Sequence, residues 1–111
     1  MSKAKQKGTA AETAVVKYLR EHGFPYAERR ALHGTEDKGD ITGTPGVVWE
    51  CKNHKTLQLA EWLRETEQER DNAHAYIGVL VAKRRGVTDP AQQYAILPLH
   101  AMVRLLKDAG W

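Results

Sequence analysis

Asp40, Glu50 and Lys52 fall within one short stretch, KGDITGTPGVVWECKN. Two carboxylates converging from neighbouring strands make an all-oxygen seat for a hard divalent cation such as Mg²⁺. Such a cation polarises a phosphoryl group, lowers the pKa of a bound water and offsets the repulsion between the crowded carboxylates. An ammonium beside them can hold a water or a phosphate oxygen. These residue types therefore point to phosphodiester hydrolysis. Glu-x-Lys alone is short and common, and its ordinary place is a solvated strand end. Asp40, shortly before it, is what makes the pair worth pursuing.

The elements must bring these groups together. Val47-Val48-Trp49 opens like an interior strand, and alternation puts Val48, Glu50 and Lys52 on one face and Val47, Trp49 and Cys51 on the other. The Cα atoms of Glu50 and Lys52 then lie about 6.6 Å apart. The Trp49 face reads as core, with Cys51 as a small hydrophobe. Residues 40–53 read as a β-hairpin around Gly43, Thr44, Pro45 and Gly46. Asp40 shares the face of Glu50 only if it stands directly across. That needs an odd loop such as Thr44-Pro45-Gly46, or a β-bulge, because a regular four-residue loop sets Asp40 against Trp49.

A third carboxylate, Glu12, lies in a helix whose apolar positions Ala11, Val15, Val16 and Leu19 recur until Gly23. Thr9-x-x-Glu12 has the form of a capping box that would open this helix. Glu12 also lies on the core-facing stripe, from which it can reach the sheet edge. YAERRAL reads as a strand beyond Pro25. A helix is expected from Leu57 to about Ala73, with Leu59, Trp62, Leu63 and Thr66 inward and Glu61, Glu65, Glu67 and Glu69 among Arg64 and Arg70 outside. AYIGVLVAK lacks alternation and reads as a central strand covered on both faces. YAILPL is a further strand, and Pro98 suits the first turn of a closing helix carrying Met102, Val103, Leu105 and Leu106. A hairpin followed by a helical crossover gives an α/β fold, a mixed β-sheet of about five strands flanked by helices.

The 111 residues suit one domain, with residues 1–7 as a basic N-terminal arm. Hydrophobic residues at 41% and charged residues at 28% argue for a folded globular chain. No apolar run approaches the roughly 18 residues that span a bilayer, and no apolar stretch follows the first lysines, so neither membrane insertion nor secretion is expected. A single cysteine excludes an intramolecular disulfide and a zinc knuckle, and fits a reducing cytosol. The net charge of +3 is modest, but basic residues cluster at Lys3, Lys5 and Lys7, at Arg29 and Arg30, and at Lys83, Arg84 and Arg85. Such clusters are compatible with a polyanionic partner.

Taken together, KGTAAETAVVKYLREHGF, RRALHG, KGDI, VVWECKN and VLVAKRRG resemble the PD-(D/E)xK nuclease superfamily, and within it the archaeal-type Holliday junction resolvases and their small bacteriophage relatives. The resemblance runs from about Lys7 to Arg85, with Gly39 standing where the superfamily name has proline. It implies a restriction-endonuclease-like core and an Mg²⁺-dependent DNA endonuclease, with Mn²⁺ able to substitute. Asp40 and Glu50 become metal ligands, joined by the backbone carbonyl of Cys51. Lys52 becomes the motif lysine near the attacking water, and Glu12 completes the site through the metal or its waters. The implied partner is branched DNA, above all the four-way junction, cut by a homodimer in the cytoplasm, the host's where a phage encodes it. Lys5, Lys7, Arg29, Arg30 and Lys38 would then surround the active face, and Lys83, Arg84 and Arg85 would meet the DNA backbone. His33, counted with these DNA-binding residues, and Thr35 are the polar candidates where relatives often carry a loop serine. The same residues would serve a small nuclease of this fold with another DNA substrate, while a non-catalytic DNA-binding module would not need the three charges.

Overall fold

The computed structural model describes residues 3–31 and 36–111, residues 3 and 4 by their backbone alone. His33 and Thr35 lie outside the described residues. The elements run α1 (Lys3–Glu21), β1 (Glu28–Arg29), β2 (Ile41–Thr42), β3 (Val47–Lys52), α2 (Leu59–Asn72), β4 (Ile77–Ala82), β5 (Tyr94–Ile96) and α3 (Leu99–Asp108), with a short 3₁₀ turn at Pro90–Gln92. The strands form one sheet in the order β1-β2-β3-β4-β5. Only β3 and β4 run parallel, joined by α2 as the crossover, so the sheet is mixed. This is the expected α/β architecture, five strands flanked by three helices.

Side-chain alternation along β4 explains the layering. Ile77, Val79 and Val81 join Cys51 of β3 and Val15, Val16 and Leu19 of α1 in one core. Leu80 and Ala82 face the other way, against Trp62 of α2. Every residue of β4 is buried, as expected of an apolar run without alternation. Glu50 and Lys52 share the face of Val48, on the α2 side.

One expectation gives way. The first helix begins at Lys3, well before Thr9, so the described part of the basic N-terminal segment belongs to the helix and Thr9 is not an N-cap. Lys, Ala and Gln are all good helix formers, and no breaker stands among residues 3–7 to delay the start. Thr9 is interior, and its carbonyl accepts from the Thr13 hydroxyl at 2.8 Å. The closing helix forms as expected, with Pro98 at its N-cap, but only Ala101 is buried. Met102, Val103, Leu105 and Leu106 remain substantially exposed, and Leu99 is 79% exposed.

Candidate metal-dependent active site

The hairpin turns on a loop of odd length. Ile41 is the partner of Trp49, a count that leaves Thr44-Pro45-Gly46 as the connection, and Asp40 stands just before that paired residue. The Asp40 N–H, one residue before Trp49's partner, reaches the Trp49 carbonyl at 2.7 Å, the two-against-one count of a bulge. Gly39 makes this approach possible. Its φ is +96°, and a Cβ there would fall 2.9 Å from the Trp49 carbonyl and 2.8 Å from Val48. Proline, fixed near −65°, could not occupy this position in this conformation.

Asp40 accepts the Cys51 N–H at 2.8 Å, which sets the Cys51 peptide against its carboxyl. Burial, and then the charge of Glu50, push Asp40 up from 3.8 to about 8, although the Cys51 bond opposes the shift. The Cys51 thiol is itself pushed far above its usual range by burial and by Asp40, so it is not a nucleophile. Lys52 Nζ lies 3.0 Å from Glu65 and 3.6 Å from Glu50. Burial lowers its affinity for a proton, but the hydrogen bond to Glu65 and the charge of Glu50 outweigh that, and the net shift is upward. Lys52 is therefore a fixed cation rather than a proton acceptor.

Glu12 has the position expected of it for a different reason. Because α1 starts early, its carboxylate has no capping task, and it pairs with Arg29 at 2.9 Å. Glu12, Asp40, Glu50 and Lys52 line one open cleft of about 350 Å³, together with Lys7, Cys51, His54 and Lys55. The structure thus collects the four predicted catalytic residues in one place. Glu50 is only 7% exposed, and its Oε2 has no hydrogen-bond partner among the described residues. A buried carboxylate with an orphaned oxygen, lining the same cleft as Asp40 in an all-oxygen donor set, fits a hard divalent cation.

Two acidic residues of this region were not anticipated. Glu69 is 5% exposed rather than outward, and with Asp37 and Glu50 it forms a trio whose ligand oxygens all lie within 4.8 Å of one another. Burial and the nearby Glu50 raise the Glu69 carboxyl well above its ordinary range. The signal was present in the sequence, since Trp62, Thr66 and Glu69 follow helical spacing and all three are buried. Charge type alone places Glu69 outside, and helical spacing overrides it.

The basic residues divide. Lys83 donates to the carbonyls of Arg84 and Val87, holding the turn after β4. Arg84 donates to the Gln92 carbonyl at 3.1 Å and lies over Tyr94. Arg29 is paired with Glu12. Arg85 is exposed and lines a second cavity of about 330 Å³ with Lys7, His54, Lys55 and Lys83. Arg30 and Lys38 border a cleft with Asp37 and Asp40, and Lys5 is exposed on α1. His54 and Lys55, shortly after Lys52 in the chain, line the same cleft, and their types alone do not signal it.

No protein-family model matches the chain, and neither does any curated protein or solved structure. Among the described residues no helix is long and apolar enough to cross a membrane.

Proposed function

We propose that the chain is a divalent-metal-dependent DNA endonuclease of the PD-(D/E)xK type, acting on branched DNA as a Holliday junction resolvase. One observation carries the reading. Asp40, just before β2, and Glu50 of β3 meet in one cleft that Lys52 and Glu12 also border, although crowding carboxylates away from water is costly unless chemistry needs them. Asp40 and Glu50 would hold Mg²⁺, with the Cys51 carbonyl beside them and Glu12 acting through waters. The ion, when bound, supplies a polarised phosphoryl oxygen and an activated water.

The chain's own residues do the rest. Lys52, kept charged by Glu65 and Glu50, stabilises negative charge developing on the phosphoryl oxygens. Arg29 holds Glu12 in place. Lys52→Ala is expected to slow cleavage by about 10²-fold with little loss of DNA affinity, as for removal of one charge-stabilising group. Single-turnover rates at saturating enzyme measure this, and a variant cutting at the wild-type rate removes the role.

A basic path leads away from the carboxylates. Lys7 and Lys55 border the carboxylate cleft and the adjoining cavity alike, and Arg85 extends that cavity. None of the three forms an ion pair with a described residue. They suit phosphates rather than base edges. Replacing each by alanine should lower the slope of log affinity against log salt by about one per lost phosphate contact. An unchanged slope in the triple variant would overturn this path.

Two-fold DNA calls for two copies of the site. The exposed apolar side chains of α3, Leu99, Met102, Val103, Leu105 and Leu106, with Trp111 at 88% exposure, support pairing with a second copy of the chain. A cleavage assay with Mg²⁺ on a synthetic four-way junction, a fork and a linear duplex tests the whole reading. Paired symmetrical nicks on the junction alone are expected, whereas cutting of linear duplex at the same rate points to another nuclease of this fold. No cutting of any substrate sinks the enzymatic reading.

A further inference from the structure

We propose that Asp37, Glu50 and Glu69 form a second seat for a hard divalent cation, Mg²⁺ or Mn²⁺, sharing Glu50 with the Asp40 site. The proposal rests on the nuclease reading for its purpose, since a second ion can serve the oxygen opposite the attacking water. Its geometry stands apart from that reading. The ligand oxygens of the three residues lie within 4.8 Å of one another. Glu50 and Glu69 are each more than nine-tenths buried, and each has an Oε2 with no hydrogen-bond partner among the described residues. Two buried carboxylate oxygens without a donor at this separation need either a shared proton or a cation between them, and a divalent cation can take the place of the proton.

The neighbouring cations are engaged elsewhere. Lys52 faces Glu65 and the other oxygen of Glu50. Arg70, one residue after Glu69, is turned to Glu67 at 2.7 Å and to the Ala75 carbonyl. The third ligand is held in place before any ion arrives. Asp37 Oδ1 accepts the Gly39 N–H at 2.9 Å, and its carbonyl accepts from the Asn72 side chain at the end of α2. Three carboxylates from a loop, a strand and a helix offer oxygen alone, which selects a hard cation over zinc or copper.

The test is calorimetric titration of Mn²⁺ into the full chain without DNA, with melting in EDTA to show that each variant folds. Wild type should bind two ions per chain. Glu69→Gln should lose one and keep the other, and so should Asp40→Asn, each sparing a different seat. Asp37→Asn keeps the acceptor for Gly39 and sits at an exposed residue, so it supplies the same test if Glu69→Gln fails to fold. A wild-type chain that binds one ion, unaffected by Asp37→Asn, overturns the second seat, as does a chain that binds none. Cleavage separates the two readings. A chain that binds two ions yet cuts no DNA keeps the seat and loses the function, whereas one that cuts with a single ion loses the seat alone.

Discussion

Asp40→Asn or Glu50→Gln is expected to lower cleavage of a four-way junction by about 10³-fold or more, the scale seen when a group acting on the transition-state charge is removed from a preorganised site. The fold should survive both changes. Asparagine retains an oxygen that can accept the Cys51 N–H, the bond that fixes Asp40 against β3. Glutamine at position 50 keeps the shape of glutamate and removes one of the charges that Asp40 and Glu69 face. Junction binding should persist or tighten, because each variant takes a negative charge away from the approaching phosphates. Rate constants under single turnover, with affinities from the same preparations, separate these effects. Full cleavage by either variant would remove the metal site, and parallel loss of binding and cleavage would turn the carboxylates into structural groups.

The two residues were legible because β geometry is regular. Period-two alternation from Val47 onward fixes the face of Glu50, and only the turn length was left open. The register of Ile41 with Trp49 closes that point. The central strand was similarly plain, since an apolar run with no alternation has few places other than the middle of a covered sheet. Helix boundaries were less so. Thr9 and Glu12 have the right types for a capping box, but propensity through residues 3–7 carries the helix upstream and the local motif is overridden.

Glu69 shows a different failure. Its spacing from Trp62 and Thr66 puts it on the buried face of α2, while its charge argues for solvent, and in the fold the spacing prevails. At a candidate site that preference inverts, because a buried carboxylate is tolerated where it has work to do. Asp37 had no comparable signal. It comes near Glu50 and Glu69 through a loop whose path depends on the Asn72 side chain, a contact between residues far apart in sequence. The apolar positions of α3 were read correctly as a helix, but periodicity reports only that a face is apolar. It does not say whether that face meets its own domain or a second copy.

The crowded carboxylates also fix how stability should depend on pH. Asp40 titrates near 8 in the folded chain against 3.8 as its ordinary value, chiefly through burial and then Glu50, so between these values the folded state holds a proton that the unfolded state has lost. The stabilising proton is fully present below about pH 4, and its contribution drains away as pH rises through about 8. Glu69, raised for the same reasons, adds to the decline in the same direction. In EDTA the Tm should therefore fall from about pH 5 to about pH 8. One pKa unit corresponds to about 1.4 kcal/mol, which screening at this partly open cleft reduces, and each kcal/mol moves the Tm of so small a domain by roughly 4 °C. Saturating Mn²⁺ should reverse the slope, because the cation needs the ionised carboxylates and binds more tightly as they lose their protons. Glu50→Gln should flatten the EDTA profile by removing the charge that helps to raise Asp40. A Tm that climbs with pH in EDTA, or a profile that Mn²⁺ leaves unchanged, would show that these carboxylates are neither mutually strained nor joined by a metal.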